Sequence, residues 1–413
     1  MRTLVIAGDY PWPTDTGARL RLSMILRGLV RCGPTELFSV ISRFRTDFGT
    51  SEDSAELVKV GRIGFDNRIP SGRPLLPTIL RPSMPLGMPW RDRPEITRSL
   101  RHFISGHYDL VWFYGARPWV LAGQPRLAPT VIDLIDLEDQ KILARLSVPR
   151  PRRSGVVARV RRAGSGLVSR EEVRRWQRLH RRAGSRGATM VVCSSLDAQR
   201  ASASGMAEVA VIPNGFSAPV APLGRHEVGS PPHVLFQGLL TYPPNAEAAR
   251  WLAHDIGPAL RARVPNVRIR VVGEHHRDLE ALSDPPSVTL TGRVADMSAE
   301  LARSDVVVVP LRYGSGTRLK ILEAFAHQIP VVSTPFGAEG LGVEGGVQLL
   351  LAETADGLAD ACSRLLLEPG LRQTIVANAR EHFLEHFEST VIEDAIGQLA
   401  RQVAAGRHPP GMT

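Results

Sequence analysis

The residues best placed by type and spacing to do chemistry lie between Asp305 and Gly340, in the stretch DVVVVPLRYGSGTRLKILEAFAHQIPVVSTPFGAEG. Gly314-Ser315-Gly316-Thr317 supplies two glycines and two hydroxyls. Arg318 and Lys320 follow at once with two positive charges, and Glu323 lies one helical turn past Lys320 on the same face. A glycine-bearing turn at a helix start turns backbone N–H groups and the positive end of the helix dipole outward, which makes a natural anion site. Cations in that first turn oppose the dipole unless an anion is present. The chemistry on offer is therefore recognition of a phosphate-like group. A plainer reading stays open beside it: a tight turn followed by an exposed Lys-Glu pair at i,i+3.

Positioning these residues requires a βαβ unit. The unbroken apolar run Val306–Val309 reads as a parallel strand covered on both faces, ended by Pro310. A helix follows with Leu319, Leu322, Phe325 and Ala326 on one face, and Ile329–Ser333 is the next strand. The helix N-terminus then points out past the carboxyl end of the first strand. The only lysines in the chain are Lys59, Lys141 and Lys320, every other basic position being arginine. A lysine in this turn therefore indicates a site for a compact point charge.

From these residues the segment resembles the donor-binding core of the GT-B glycosyltransferases of family 4, the group-1 type. That family's motif runs Glu, seven residues, Glu, then Ala and an apolar-Pro-Val-Val strand. Glu323 with Ala324, Phe325, Ala326 and Pro330-Val331-Val332 matches its second half. The resemblance implies that Glu323 grips the ribose hydroxyls of a nucleotide sugar. The family's first Glu, which touches the transferred sugar, is replaced by Ser315, and the chain fits a branch with a Gly-x-Gly-x-Arg-x-Lys loop. The resemblance also implies a donor site formed by Gly238, Val294, Gly314, Ser315, Gly316, Thr317, Arg318, Lys320 and Glu323. Family donor sites hold the diphosphate with an Arg and a Lys after the first strand of this domain. Here that turn is the uncharged Leu239-Leu240-Thr241-Tyr242-Pro243, so Arg318 and Lys320 are expected to have taken over that duty, in catalysis as well as binding.

At the N-terminus, Thr3–Ala7 reads as a strand, residues 8–17 as a loop, Ala18–Arg31 as a helix and Leu37–Ile41 as a second strand. The resemblance sets the first loop against acceptor or phosphate through Gly17, Arg19 and Arg21; equally, Gly17 only allows the turn. Residues 61–94, rich in proline, glycine and arginine, read as a long surface excursion. Asp109–Phe113 and Val131–Ile135 are further strands, the second running into Asp133, Asp136, Glu138 and Asp139. Many family members carry a His-Asp pair at this strand end; Ile135-Asp136 stands here, so the histidine is missing. Asp136 either orients substrate or takes a proton from an acceptor hydroxyl, or it belongs to a helix start made acidic for dipole reasons.

Arg150–Arg186 carries thirteen arginines against Glu171 and Glu172, and from Ser169 it reads as a helix with Val173, Trp176, Leu179 and Ala183 on one stripe. Such a helix either rests on an anionic membrane or guides a phosphorylated acceptor, or it is a solvated helix in a chain with an arginine bias. Met190–Cys193 is a strand, Ser195 starts a helix and Val209–Ile212 closes the half; Ile212-Pro213-Asn214-Gly215-Phe216 resembles the family's hinge. Residues 217–232 suit a linker. The second half begins again with strands Val234–Gln237, Val267–Gly273 and Val288–Gly292, a helix after Pro244-Asn245 and a short one over Asp296–Arg303. Val347–Leu351 and the helix Ala355–Leu367 follow the central motif, and the tail, Ala377–Val403, resembles the family's closing helices.

At 413 residues the chain suits two domains, and 43% hydrophobic residues with mixed charge fit a folded protein. Cys32, Cys193 and Cys362 are far apart, which excludes a disulfide framework or metal-ligand spacing and indicates a reducing compartment. The start is a strand and turn rather than a signal peptide, and no apolar run approaches the roughly 18–20 residues a bilayer requires. The expected placement is cytoplasmic, with peripheral contact to an anionic membrane as an extension. The net charge of +10 lacks aromatic interleaving or a nucleic-acid module, so nucleic acid is not an expected partner. No G-x-G-x-x-G follows the first strand and no G-x-x-x-x-G-K-[ST] occurs, which disfavours nicotinamide cofactors and P-loop hydrolysis.

The expected architecture is α/β, two Rossmann-like doubly wound domains facing each other across a cleft. One spans 1–216, with a C-terminal helix of about 390–413 packing back on it, and a donor domain spans 217–389. The implied activity is transfer of a sugar from a nucleotide-sugar co-substrate to an acceptor hydroxyl on a small molecule, glycan or lipid-linked carrier, with retention at the anomeric carbon. No separate cofactor and no metal are expected, because fixed cations and helix-end amides stabilise a leaving diphosphate. Two alternatives stand beside it: a nucleotide-sugar 2-epimerase of the same fold, and a degenerate member that binds nucleotide sugar as a scaffold.

Overall fold

Parallel strands buried on both faces set the architecture. The computed structural model describes residues 1–43, 48–49, 55–65, 84–86, 93–147, 156–207, 209–220, 223, 231–314 and 318–407. They fall into two compact units, Met1–Asn214 with Thr390–Thr413, and Gly215–Ser389.

In the first unit the strands are β1 Thr3–Ala7, β2 Thr35–Ser42, β3 Lys59–Phe65, β4 Leu110–Tyr114, β5 Thr130–Asp133, β6 Ala188–Val192 and β7 Val209–Val211. They form one sheet in the order β3-β2-β1-β4-β5-β6-β7, parallel throughout. Side-chain alternation along β1 divides the core in two. Leu4 and Ile6 pack with Trp119, Trp176 and Leu179 on one face. Val5 and Ala7 pack with Leu22, Ile25 and Leu29 of the helix Gly17–Val30 on the other. Ile392, Ile396 and Leu399, on the helix Ser389–Ala404, join that second face. That helix approaches so closely that a side chain at Gly28 would meet the Glu393 carbonyl.

In the second unit the strands are β8 His233–Gln237, β9 Arg268–Val272, β10 Val288–Thr291, β11 Val306–Val309, β12 Val331–Ser333 and β13 Leu350–Leu351, in the order β10-β9-β8-β11-β12-β13, again parallel. Both sheets therefore reverse direction beside their first strand, between β1 and β4 and between β8 and β11. In doubly wound sheets the crevice at the carboxyl ends of such a pair is where ligands bind.

Three local expectations are corrected. The excursion assigned to 61–94 begins inside the sheet, since β3 runs to Phe65 as an edge strand. Its apolar signal is thinned by Gly61, where a Cβ would collide with the Phe103 ring; residues 66–83 and 87–92 lie outside the described residues. The arginine-rich helix spans Val156–Gly184 rather than starting near Ser169. Gly164 and Gly166 hide its beginning, each costing about 1 kcal/mol against alanine in a helix, a cost that tertiary context overrides. Finally, β5 ends at Asp133, so Ile135 and Asp136 sit in the turn beyond it.

Candidate active site

At the second unit's reversal point, β8 runs buried to Gln237 and stops at Gly238, whose φ of +157° favours glycine. A Cβ there would lie 2.9 Å from Lys320 Nζ and 3.0 Å from Asn245 Nδ2, so the position is kept bare by these two side chains. Lys320 arrives from the helix Leu319–Ala326. Ile321, Leu322, Ala324, Phe325 and Ala326 are buried there, which leaves Lys320 and Glu323 half-buried on the remaining face. Lys320 Nζ donates to Asn245 Oδ1 at 3.0 Å and stands 4.6 Å from the centre of the Phe236 ring. Glu323 Oε2 accepts from Gln237 Nε2 at 2.7 Å. Lys320 and Glu323 thus have separate partners, and both point toward the end of β8.

The electrostatics of this cluster are unusual. Burial, reinforced by the Arg318 charge and opposed by Glu323, pulls the Lys320 ammonium down to about 7. Burial also pushes the Glu323 carboxyl up to about 7, against the hydrogen bond from Gln237; Asp296 adds to the rise and Lys320 opposes it. A cation and a carboxyl both shifted by burial at a strand end make this cluster a candidate functional site. Arg318, just before the helix, is buried with its guanidinium 5.0 Å from the Phe336 ring centre. Gly314, with φ of +137°, lies against Pro244, at whose Cβ an added methyl would be 3.3 Å away. Ser315, Gly316 and Thr317 lie outside the described residues. Val294 is half-buried and packs against the unit's core in the turn after β10.

The first unit carries its own cavity, about 400 Å³, at the mouth of β1 and β4. Gly8 and Gly115, just past those two strands, line it together with Asp136, Glu138, Lys141 and His180. Asp136 Oδ2 is 2.8 Å from Lys141 Nζ, which also lies 3.7 Å from Glu138. The residues assigned to an acceptor-side loop are placed differently from that expectation. Gly17 opens the helix Gly17–Val30, and Arg19 in its first turn pairs with Asp15 at 2.5 Å. Arg21 is 2% exposed and grips Asp133 with two bonds, of 3.0 and 2.9 Å. Its Nη1 donates to the Ile212 and Pro213 carbonyls and to Asn214 Oδ1. Arg21 is thus committed inside the unit, bonded to Asp133, Ile212, Pro213 and Asn214.

Residues 231–368 match the family model "Glycosyl transferases group 1". That match lies within the second unit. Over 129 residues the chain is 27% identical to an uncharacterized 44.6 kDa protein in the cps region of Klebsiella pneumoniae, a match covering 29% of this chain and 33% of that protein. The chain thus spans about a third of the length of that curated relative. Among solved structures it is similar to Anabaena HepE in complex with UDP and glucose, at 18% identity and TM-score 0.63, covering 96% of this chain and 98% of that one. It is similar as well to sucrose-phosphate synthase from Thermosynechococcus elongatus, at 17% identity and TM-score 0.67, covering 98% and 100%. A glycosyltransferase from Rickettsia africae follows at 14% identity and TM-score 0.61, covering 97% and 98%. At these identities the likeness establishes the fold class, two parallel-sheet α/β domains of the kind found in GT-B proteins.

Within the second unit the chain brings Gly238, Lys320 and Glu323 to one strand end, with Gly314 beside Pro244 at the start of the neighbouring helix. Asp136 belongs to the first-unit cavity instead. Gln237 and Asn245 escape a reading of the sequence because an amide at a strand end or helix start is ordinary. His180 escapes it because its stripe partners, Val173, Trp176 and Leu179, are buried core residues. That apolar stripe packs against the first unit's sheet, so it is not the face a membrane would meet. Among the described residues no helix is long and apolar enough to cross a membrane, and no group of acidic, histidine or cysteine residues is arranged to hold a metal ion.

Proposed function

We propose that the protein is a nucleotide-sugar-dependent glycosyltransferase of the branch with a Gly-x-Gly-x-Arg-x-Lys donor loop. The observation that carries this reading is the convergence of Lys320, Gly238, Asn245 and the Gln237–Glu323 pair on one strand end within the stretch that matches the group 1 family. Glu323 accepts hydrogen bonds from the ribose hydroxyls, and Lys320 with Arg318 faces the diphosphate. That HepE binds UDP and glucose supports a nucleotide-sugar donor of this kind.

In the reaction the bond from the anomeric carbon to the β-phosphate oxygen breaks, and its electron pair leaves with the nucleoside diphosphate. The anomeric carbon bonds to the acceptor oxygen, whose proton is lost. Charge grows on the diphosphate as it leaves, so Lys320 and Arg318 stabilise the transition state more than the bound donor. Two fixed cations supply that stabilisation without a metal. Asp136 orients the acceptor hydroxyl or takes its proton. Transfer proceeds with retention, as the family resemblance implies.

The test is titration calorimetry with UDP-, GDP-, ADP- and dTDP-sugars, followed by product analysis with the donor that binds. Release of nucleoside diphosphate together with a glycosylated acceptor supports the reading. A donor converted to its 2-epimer without acceptor replaces it with an epimerase.

A further inference from the structure

We infer that the first-unit cavity binds an uncharged, hydroxylated group, and that His180 is the residue that reads it. Only the ligand's identity as a sugar acceptor rests on the glycosyltransferase reading; the site is argued from this unit alone. The cavity lies at the reversal point of the sheet, where doubly wound folds take ligands. His180 lines it, is 1% exposed, and has no hydrogen-bond partner on either ring nitrogen among the described residues. Its neighbour Trp176, at 5.7 Å between ring centres, packs against the ring but satisfies neither nitrogen. A buried imidazole left so is costly unless a ligand completes it.

The kind of ligand follows from the charges. Burial pulls His180 down to about 4, against the pull of Asp139 and Glu138, so near neutral pH the ring offers one N–H donor and one acceptor. A hydroxyl, itself donor and acceptor, matches that pair; a phosphate, which only accepts, does not. The cavity's formal charges are Asp9, Asp136 and Glu138 against Arg117 and Lys141, a surplus of one negative charge. Lys141 is held by Asp136 and Glu138, and Arg117 is 4.0 Å from Glu138. An anionic ligand would compete with these carboxylates for both cations. Tyr114, Leu121 and Trp176 complete the wall with the apolar surface that the C–H face of a sugar ring requires. The class is therefore a neutral sugar or glycoside end rather than a sugar phosphate.

The experiment uses the full chain and saturation-transfer NMR with methyl glucoside, galactoside, mannoside and N-acetylglucosaminide against the matching sugar 1-phosphates. At least one neutral glycoside is expected to bind, with its phosphate counterpart at least tenfold weaker. His180→Phe keeps the ring and removes both nitrogens. It should weaken the glycoside at least tenfold while melting temperature holds or rises, since an unpartnered polar group has gone. His180→Gln, which retains a donor and an acceptor, should bind within a few-fold of the parent and covers the case in which the phenylalanine variant misfolds. Unchanged glycoside binding in His180→Phe, or a phosphate binding tighter than its glycoside, overturns the proposal. So does a lowered melting temperature with unchanged glycoside binding, which identifies a histidine bonded to internal water. Nucleotide-sugar binding is read in the same samples: its absence in the parent sinks the transferase reading and leaves the cavity result to be judged on the glycosides.

Discussion

Raising the pH from 7 to 9 should weaken nucleotide-sugar binding by up to ~50-fold through Lys320 alone. Burial and Arg318 pull Lys320 down to about 7. A diphosphate beside it favours the charged form and returns it toward its ordinary range, so binding above pH 7 must be accompanied by proton uptake. The ammonium is about half protonated at pH 7 and about one per cent protonated at pH 9, so the loss is bounded at ~50-fold, about 2.3 kcal/mol. Well below pH 7 Lys320 is fully charged and its contribution is flat. The right ligand is the nucleotide sugar rather than the free diphosphate, because a diphosphate esterified at both ends keeps a fixed charge across this range. Calorimetry at several pH values, in buffers of contrasting ionisation enthalpy, reads both the affinity and the protons taken up. Lys320→Met should bind more weakly at pH 7 and lose the alkaline slope. An alkaline slope that survives in Lys320→Met, or no proton uptake by the parent at pH 8, would refute the reasoning.

Three further outcomes are expected. At pH 8, where the carboxyl is mostly ionised, Glu323→Gln should lose about 1.5–3 kcal/mol of nucleotide affinity, the worth of a charge-assisted hydrogen bond, in a protein whose melting temperature is close to the parent's; calorimetry with the nucleoside diphosphate checks it. Gly238→Ala places a methyl 2.9 Å from Lys320 Nζ and should weaken nucleotide-sugar binding about tenfold by displacing that side chain, with circular dichroism unchanged. Arg21→Leu leaves Asp133 buried without its partner and should cost about 3–5 kcal/mol in denaturant unfolding of the first unit; a loss under about 1 kcal/mol would show that the pair is dispensable.

Much of the fold is written locally. Val306–Val309 and Leu110–Tyr114 are apolar runs because both their faces are covered, and periodicity alone shows that Lys320 and Glu323 share a helix face. What the sequence hides is tertiary. Arg21 looks like a surface cation until Asp133, 112 residues away, is folded beside it. The edge strand β3 has Gly61 where the Phe103 ring needs room, so its hydrophobic signal fades. Gln237 becomes a partner of Glu323 only across 86 residues of chain. His180 sits one residue past a core leucine, and only the cavity distinguishes it from the packing around it.

The most direct test of the central claim is mass-spectrometric product analysis of the purified chain with a panel of nucleotide sugars and neutral glycoside acceptors. One donor should yield nucleoside diphosphate and an acceptor heavier by one sugar in equal amounts, and Lys320→Met, folded to the same melting temperature or higher, should lose most of that turnover. No sugar transferred from any donor that binds, or turnover undiminished in Lys320→Met, would contradict the account.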